Sequence, residues 1–412
     1  MIDIKEKNNC CGCGACVQIC PKQCISMAAD NEGFLYPQVN SAICIDCGLC
    51  EKVCPVINQS APREPLVVYA AKNNNEDIRL KSSSGGIFTL LAEKVIEEGG
   101  VVFGAKFDAD WNVVHDYTET IEGLAAFRGS KYVQSIIGDN FKTAKQFLNN
   151  GRKVLFSGTP CQIAGLKKYL RKEYDNLLTV DVVCHGVPSP MVWRDYLDYK
   201  RAKRAVGKNT VSSSLNELPV ITGISFRDKT NGWKKYGFRI CYAAPKAAVN
   251  SVSEFAISDN CEITPFYKDI FMKGFLMNLY LRPSCYHCSA RQGKSGADIS
   301  IADYWGVQSI HPEMDDDKGM GLIMVNTQLG VSYYNAVKNH ILYLKSSYEK
   351  AILHNPNIVN NVKIPDQRVL FWNSYYTSKI DSIKTICDKM TPSPIVIFTK
   401  RLIRKIRLII KL

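Results

Sequence analysis

Two runs of cysteines near the start of the chain have the same internal spacing. The runs are Cys10-x-x-Cys13-x-x-Cys16-x-x-x-Cys20-Pro21 and Cys44-x-x-Cys47-x-x-Cys50-x-x-x-Cys54-Pro55. In bacterial two-cluster ferredoxins, three closely spaced thiolates hold one 4Fe-4S cluster, and the fourth cysteine of the run ligates the other cluster. The spacing therefore predicts two 4Fe-4S clusters, one held by Cys10, Cys13, Cys16 and Cys54, and the other by Cys44, Cys47, Cys50 and Cys20.

The residues around these cysteines agree with a ferredoxin-type head. Gly12, Gly14 and Gly48 let the backbone approach the sulfurs and donate N–H groups to them. Zinc binding is the alternative, but a zinc site does not explain two copies in which a proline follows the fourth cysteine. Cys11 and Cys24 fall outside the spacing, and we interpret them as packed or spare thiols.

Four further cysteines have neighbours that predict a third site. Cys161 follows a predicted strand and opens a helix, whereas Cys184 ends the next predicted strand. If those strands are parallel neighbours, both thiols lie at the carboxyl edge of the sheet, where α/β proteins place their binding sites. Cys285 and Cys288 form a C-x-x-C pair on a loop after a predicted helix, a spacing that favours metal binding.

The spacing leaves three interpretations of these four thiols open. A tetrahedron of thiolates suits both an iron–sulfur cluster and a structural zinc ion, and the third interpretation is that no metal binds. The ferredoxin head favours a third 4Fe-4S cluster, because two clusters that carry electrons need a further redox group with which to exchange them. Cys241, Cys261 and Cys387 stand singly in strand or helix patterns and are predicted to be core residues.

Two polar loops have the composition of a phosphate or flavin contact. Ser82-Ser83-Ser84-Gly85-Gly86 follows a predicted strand and opens a helix with Ser84 as its expected cap, so its N–H and hydroxyl groups would suit a phosphate. Arg128-Gly129-Ser130-Lys131-Tyr132 is basic, with one aromatic ring. A plain helix start and a solvated turn are the alternatives, and no G-x-G-x-x-G fingerprint follows the first strand.

Three other polar residues near these sites have structural interpretations. His185, beside Cys184, is interpreted as a loop histidine with satisfied hydrogen bonds rather than as a group that tunes a metal site. Asp298 and Asp303 are strand-end acids that fit a structural role as well as a catalytic one. No His/Asp/Ser triad or pair of carboxylates has a persuasive spacing.

The elements that carry these residues alternate between strand and helix. Short apolar runs predict strands over 66–71, 101–105, 153–158 and 177–184, separated by helical patterns. This order indicates an α+β or α/β multidomain protein with a mixed, mostly parallel sheet. ITGISFRD and YGFRICY predict an antiparallel pair beside a polar loop over 205–219, and a helix is predicted over 266–281.

A polar, proline-bearing stretch at 58–65 predicts a linker that separates the head from the rest of the chain. The predicted divisions are a two-cluster ferredoxin domain (1–60), a flavin- and iron–sulfur-binding domain (66–330, in parts 66–150 and 151–330) and a helical C-terminal region (331–412). A length of 412 residues allows two or three domains. Hydrophobic residues at 46% and charged residues at 22% predict a buried core.

The composition excludes two classes of protein. The start, MIDIKEKNNCCGCG, has no apolar signal region, so we expect a cytoplasmic protein whose 17 cysteines serve metal or redox chemistry rather than disulfides. No uninterrupted apolar run reaches the roughly 18 residues of a membrane span. A secreted disulfide scaffold and an integral membrane protein are therefore not expected.

The net charge of +13 is distributed unevenly. Residues 1–60 carry −2, whereas the last 18 residues carry six bases and no acids. Those residues predict a basic amphipathic helix, with Phe398, Leu402, Ile406 and Ile409 on one face and Lys400, Arg404, Arg407 and Lys411 on another. The helix either lies on an anionic membrane surface, at the inner face of the cell membrane, or packs on the protein. Nucleic acid is not an expected partner, because the bases are not interleaved with stacking aromatics.

Taken together, these segments resemble the coenzyme F420 hydrogenase/dehydrogenase beta-subunit family in its form with a fused two-cluster ferredoxin. The matching segments are KSSSGGIFTLL, RGSKYVQS, FSGTPCQIAGLKKYL, DVVCHGVPS and CYHCSARQGKSGADISIADYWG. With the ferredoxin head they extend from about residue 10 to residue 310, roughly three quarters of the chain.

The resemblance implies a flavoprotein that binds FAD with a 4Fe-4S cluster held by Cys161, Cys184, Cys285 and Cys288 next to it. It places Ser83, Ser84, Gly85, Gly86, Ser130, Lys131, Tyr132, Thr159 and the 295–298 region with Asp298 around the FAD. Family members pass electrons between iron–sulfur carriers and a two-electron partner, some with the deazaflavin F420. Bacterial relatives of this layout often accompany surface-polysaccharide synthesis.

Three hypotheses for the function follow. The first is an FAD- and iron–sulfur-dependent oxidoreductase, in which clusters carry single electrons and a flavin converts them to hydride chemistry. Its partners would be a redox protein or a reduced coenzyme. The second is a non-catalytic subunit that relays electrons to a partner enzyme, and the third is a binding protein whose clusters only hold the fold.

Overall fold

The structure of the protein, a computed structural model, describes residues 1–206, 218–243 and 260–391. The predicted basic tail helix lies outside the described residues, as does most of the polar loop predicted over 205–219. Among the helices of the described ranges, none is both long and apolar enough to span a membrane.

The head contains a hairpin and two short helices. These are α1 (Ala15–Ile19), β1 (Ile25–Ala29), β2 (Leu35–Val39) and α2 (Leu49–Lys52), with β1 and β2 antiparallel. Each helix follows a glycine in the left-handed region, Gly14 at φ 74° and Gly48 at φ 69°. A glycine adopts this turn without a Cβ clash, and the turn places the third cysteine of each run in the first turn of its helix.

The rest of the chain, the body, alternates strands and helices as the sequence predicts. Its strands are β3 (Val67–Asn73), β4 (Val101–Phe107), β5 (Val113–Thr118), β6 (Val154–Gly158), β7 (Leu177–Val182), β8 (Ile221–Asp228), β9 (Gly237–Tyr242), β10 (Cys261–Pro265), β11 (Ile299–Asp303), β12 (Gly321–Val325) and β13 (Ile341–Ser346). Its helices are α3 (Glu76–Lys81), α4 (Ile87–Glu97), α5 (Asn140–Asn149), α6 (Pro160–Leu170), α7 (Pro190–Val206), α8 (Ile270–Leu276), α9 (Val307–Ile310), α10 (Gln328–Val337), α11 (Tyr348–His354) and α12 (Arg368–Met390).

Eight of these strands form the central mixed sheet, in the order β13-β3-β12-β11-β7-β6-β4-β5. The neighbours β11, β7, β6 and β4 are parallel, and the flanking pairs are antiparallel. The predicted mixed sheet is therefore confirmed, and its parallel strands lie together at the centre. Because β6 and β7 are parallel neighbours, the chain leaves both strands at the same edge of the sheet.

A second sheet of three antiparallel strands has the order β10-β9-β8. The predicted β8–β9 pair is confirmed. Cys261 in β10 lies directly opposite Cys241 in β9, and the two form a disulfide. The prediction that they are single core cysteines is therefore wrong, as is the expectation that the chain forms no disulfide. Cys387 is buried in the core, as predicted.

The region after residue 330 is not only helical. Helices α11 and α12 lie there, but β13 pairs with β3 at the edge of the central sheet. The sequence analysis missed β13, because half of its side chains face solvent and its apolar pattern is weak. Helix α8 is also shorter than the predicted 266–281, since the side chain of Asp269 caps its start by accepting from the amide of Met272.

The head and the body share one apolar core. Cys11, Cys13, Ala15 and Val53 of the head belong to the same buried cluster as residues of β4, β6 and α6. Gly165 in α6 makes this contact possible, because a Cβ built there would lie 2.9 Å from the sulfur of Cys13. The first cysteine run is thus packed on the helix that begins with Pro160 and Cys161.

Polar contacts fix the same interface. The side-chain oxygen of Gln18 in α1 accepts hydrogen bonds from the amides of Phe141 (2.9 Å) and Lys142 (3.1 Å) at the start of α5. Glu32, in the β1–β2 turn, forms a half-buried two-pronged ion pair with Arg368 of α12. Both α1 and the β1–β2 turn of the head therefore make polar contacts with the body.

We predict that Gly33→Ala loosens the head and that Gly99→Ala is the milder, matched change. Both glycines have positive φ, 81° and 73°, so either alanine costs about 1 kcal/mol in backbone strain. Only at Gly33 does a built Cβ clash, 2.4 Å from the Cβ of Met191 in α7, which adds about 1–3 kcal/mol. Limited proteolysis should release the head sooner in Gly33→Ala. Equal sensitivity of the two variants would contradict the contact.

Candidate functional site

Five thiols line one small cavity, of about 70 Å³, at the carboxyl edge of the central sheet. Four of them are the predicted ligands Cys161, Cys184, Cys285 and Cys288. The fifth is Cys11 of the head, which the sequence analysis left as a spare thiol. The structure therefore brings the four body cysteines together and adds one thiol from the first cysteine run.

Three segments position the body thiols. Cys161 is the second residue of α6, whose start Thr159 and Gln162 cap reciprocally. Cys184 follows the end of β7, the neighbour of β6 in the sheet. Cys285 lies in a short 3-10 helix, Pro283–His287, where its sulfur accepts a hydrogen bond from the amide of Val187 (3.4 Å).

The surroundings of these thiols disfavour free thiolates. Burial raises the pKa of Cys285 to about 12, and burial followed by the charge of Cys285 raises the pKa of Cys184. For Cys161, the adjacent Cys11 thiol is the first cause of a raised pKa and burial is the second. Thiols in such a place ionise when a bound cation compensates their charges, which is the behaviour of metal ligands.

The head cysteines form two groups. Cys16 lies near Cys10 and Cys54, and burial followed by the charges of those two raises its pKa to about 12. The second group, Cys20, Cys44, Cys47 and Cys50, lines a separate surface pocket, and Cys47 is exposed. Cys24 joins this pocket, with its sulfur 3.3 Å from that of Cys20.

Within the described ranges, no three His, Cys, Asp or Glu side chains are grouped as the ligands of a single metal ion. That holds for the ferredoxin cysteines of the head as well as for the body thiols. In this respect the body thiols and the head cysteines are alike.

A larger cavity, of about 300 Å³, adjoins the cysteine cavity. Apart from the 295–298 region with Asp298, the residues that the resemblance places around FAD all line this cavity. They are Ser83, Ser84, Gly85, Gly86, Ser130, Lys131, Tyr132 and Thr159. The volume is at the lower end of the range of small-molecule sites. The chain segment that includes Val183, Cys184, Gly186 and Val187 lines both cavities, so one wall separates the cysteine cavity from the larger one.

Lys131 gives the larger cavity an uncompensated positive group. Its ammonium donates to the carbonyls of Ala126 (2.8 Å), Arg128 (3.1 Å) and Gly129 (3.2 Å). Burial lowers its pKa to about 7, and no carboxylate of a described residue forms an ion pair with it. At this pKa the amine is only about half protonated near pH 7, so an anionic group in the cavity, such as a diphosphate, would favour its charged form.

The Ser82–Gly86 loop differs in detail from the prediction. Helix α4 begins at Ile87, after Gly86 at φ 80°, so Ser84 is not its cap. The hydroxyl of Ser84 instead donates to the carbonyl of Met320 (2.6 Å), and Ser83 accepts from the amide of Ser130 (2.7 Å). These bonds hold the two predicted loops together, and the N-terminus of α4 remains directed at the cavity, where it favours an anion.

A chain of hydrogen bonds forms the floor of the cavity. The Gln162 amide donates to Ser135 Oγ (2.8 Å), and Ser135 Oγ lies 2.9 Å from His115 Nδ1. His115 Nε2 lies 3.0 Å from the carbonyl of Ser157, which can only accept. This assigns the proton of a neutral His115 to Nε2, and burial lowers the pKa of this histidine to about 4.

The sequence analysis missed His115 and Gln162. A signal for His115 exists, since the residue takes an inward position among the apolar residues of β5, where a buried polar side chain is informative. Gln162 could have been found as the N3 partner of a Thr159 cap.

Asp298 is the exception among the expected FAD contacts, because it does not line the cavity. Its buried carboxylate accepts hydrogen bonds from the amide and hydroxyl of Thr179 (2.9 and 2.5 Å) and from the hydroxyl of Thr327 (2.7 Å). It therefore joins β7 to the segment after β12. Asp303 does line the cavity, paired with the buried guanidinium of Arg227 (2.8 Å).

His185 also has the satisfied hydrogen bonds that the sequence predicts. Its Nε2 lies 2.6 Å from the side-chain oxygen of Asn278, and its Nδ1 lies 3.2 Å from the side-chain amide of Asn357. Burial lowers its pKa, so the ring is neutral at physiological pH.

Comparison with known proteins gives three family matches. The model for the "Coenzyme F420 hydrogenase/dehydrogenase, beta subunit N-term" matches residues 68–138, and the model for its "C terminus" matches residues 151–350. A "4Fe-4S dicluster domain" matches residues 9–58. The search of the curated proteins found no match.

One solved structure with a similar chain is the xenon-derivatised F420-reducing [NiFe] hydrogenase complex from Methanosarcina barkeri. The sequences are 17% identical, and the match covers 79% of this chain and 92% of that chain with a TM-score of 0.41. Similarity at this level carries no argument about function.

We predict that His115 makes the protein less stable as the pH falls below about 6.5. Its pKa is about 4 when folded and about 6.5 when unfolded, so the unfolded chain binds a proton first and gains stability. Between pH 7.5 and 5.5 the loss is about 1 kcal/mol. The thermal midpoint of wild type should fall more over this interval than that of His115→Gln. Equal falls would contradict the assignment, and His340→Gln, at an exposed position, should behave as wild type.

Proposed function

Because the chain belongs to the coenzyme F420 hydrogenase/dehydrogenase beta-subunit family, we propose that it is an oxidoreductase that passes electrons between ferredoxin-type 4Fe-4S clusters and FAD. From the flavin they would go to, or come from, a two-electron substrate or coenzyme. The chain is an iron–sulfur electron-transfer protein of this family, and its dicluster domain implies two 4Fe-4S clusters.

The donor set around the smaller cavity fits a third 4Fe-4S cluster. Cys161, Cys184, Cys285 and Cys288 would hold it, since all four line the cavity and are disfavoured as free thiolates. Thr159 and Val187 hydrogen-bond to the sulfurs of Cys161 and Cys285, at 3.3 and 3.4 Å. Hydrogen bonds of this kind orient metal ligands and tune the potential of iron–sulfur sites. Structural zinc remains the alternative occupant.

The lining of the larger cavity suits the anionic diphosphate of a dinucleotide. Lys131 supplies a positive charge without an acidic partner, and the N-terminus of α4 supplies free amide groups. Gly85 packs so closely on β3 and β12 that a built Cβ would lie 2.4 Å from the carbonyl of Ala71. The Ser82–Gly86 loop therefore packs directly on the central sheet and does not fill the larger cavity, which it lines.

The observation that carries the proposal is the wall shared by the two cavities. Cys184 lies in the lining of both, so a group bound in the larger cavity would be next to a ligand of the cysteine site. When bound, iron–sulfur clusters carry single electrons and a flavin combines two of them into a hydride. The chain's own part is to hold the two groups side by side, and to keep His115 and His185 neutral in the cavity walls.

The resemblance and the basic tail carry further predictions. A place in surface-polysaccharide synthesis and binding of an anionic membrane remain predictions, and the comparisons support neither of them. A redox partner protein is the expected source or acceptor of electrons at the head. The proposed divisions remain 1–60, 66–330 and 331–412, with β13 contributed by the third part to the sheet of the second.

We predict that the anaerobically purified protein contains about 12 irons, a matching amount of sulfide and one FAD per chain. Three clusters account for the iron, and the larger cavity accounts for the flavin. Chemical analysis of iron and sulfide and fluorescence of the released flavin measure these quantities. Absence of flavin would reject the oxidoreductase proposal in favour of the relay subunit.

Replacement of Cys161 by serine should remove about four irons per chain, because it takes one ligand from the third cluster. Cys387→Ser is the matched control, since Cys387 is also buried but does not line the cysteine cavity. Iron content measured on the two variants separates them. An unchanged iron content in Cys161→Ser would reject the third-cluster assignment.

A further inference from the structure

A buried arginine joins the head to the segment that carries the Cys285 site. Arg282 is 1% exposed and immediately precedes the Pro283–His287 helix. Its Nε donates to the carbonyl of Cys10 (2.8 Å), and a terminal nitrogen lies 3.6 Å from the sulfur of Cys10. One guanidinium thus contacts a predicted ligand of the first head cluster while its backbone leads directly into the body site.

Gln134 fixes the next residue of the head. Its side-chain oxygen accepts from Arg282 (2.9 Å), and its side-chain nitrogen donates to the carbonyl of Cys11 (3.1 Å). Gly12, at φ 73°, leaves room for both partners, since a built Cβ would lie 2.8 Å from each of their nitrogens. The carbonyls of Cys10 and Cys11 therefore both accept hydrogen bonds from side chains of the body.

This arrangement presents the thiol of Cys11 to the body. Cys11 is 9% exposed and lines the cysteine cavity together with Cys161. Cys11 and Cys13 belong to one buried cluster, and Cys161 packs against that cluster. Cys11 is adjacent in sequence to Cys10 and lies two residues from Cys13, and both are predicted ligands of the first head cluster. Because Cys11 also lines the cavity of the body ligands, it adjoins both predicted sets of ligands.

We propose that Cys11 is the electronic contact between the head and the body, and that Arg282 and Gln134 are positioning residues that hold its thiol against Cys161. The inference rests on the proposed function, because it requires a cluster at each end. The step it would serve would move one electron from a cluster held by the head cysteines to a cluster held by the body cysteines, so that the first is oxidised and the second reduced. No bond forms or breaks and no proton moves. Cys11 itself is not a ligand in this account, and its large polarizable sulfur closes the gap between the two sets.

The test compares Cys11→Ala with Cys387→Ala in full-length, anaerobically purified protein. Both variants should keep the iron content and the head-cluster EPR spectrum of wild type. Each protein is then mixed with a reduced bacterial ferredoxin, and freeze-quench EPR follows the head and body signals separately. We expect wild-type reduction of the head in both variants, and several-fold slower reduction of the body site in Cys11→Ala alone.

Gln134→Glu tests the positioning role. A glutamate keeps an acceptor for Arg282 but replaces the donor to the Cys11 carbonyl with a second oxygen, which leaves that carbonyl without its partner. We expect slower reduction of the body site, with unchanged reduction of the head and an unchanged iron content. An unchanged rate would remove Gln134 from the proposal.

The outcomes separate this inference from the proposed function. A wild-type chain with about eight irons would reject the third cluster, and the role of Cys11 with it. With about 12 irons in wild type, an unaltered rate in Cys11→Ala would overturn the role of Cys11 alone. Loss of about four irons from Cys11→Ala would identify Cys11 as a ligand and would also overturn the proposal.

Discussion

The buried guanidinium of Arg282 is the constraint on which the arrangement of this protein depends. Burying a charged group is costly unless its donors are satisfied, and here they meet the carbonyls of Cys10 and Leu35 and the side chain of Gln134. The ring of Tyr36 lies 4.3 Å below the guanidinium and adds a cation–π contact. Since these partners come from both the head and the body, the arginine is satisfied only when the head is docked.

Docking of the head has a consequence for electron transfer. The same interface packs Cys13 on α6 and brings Cys11 to the body cysteines. The cysteines of the first run and those of the body site therefore adjoin at this interface. On the far side, Cys184 also lines the larger cavity, together with Lys131 and the neutral side chains of His115 and His185. The cysteine cavity therefore adjoins both the docked head, which contributes Cys11 to its lining, and the larger cavity, with which it shares a wall.

Much of this could be predicted from the sequence, for identifiable reasons. The ferredoxin runs are recognisable because their spacing is local, and Cys161 with Cys184 could be grouped because neighbouring parallel strands end at one edge of the sheet. Non-local features were missed. The partner of Cys241 depends on strand register, the place of Cys11 depends on how the head docks, and the capture of Asp298 by Thr179 and Thr327 depends on side-chain packing.

The central claim is that the first head cluster and the body cysteine site are neighbours within one electron-transfer unit. The most direct test is the low-temperature EPR spectrum of the fully reduced wild-type protein. The account predicts signals broadened or split by spin–spin interaction between the first head cluster and the body cluster, and this interaction should be absent from Cys161→Ser. A wild-type spectrum equal to the sum of independent cluster signals would contradict it.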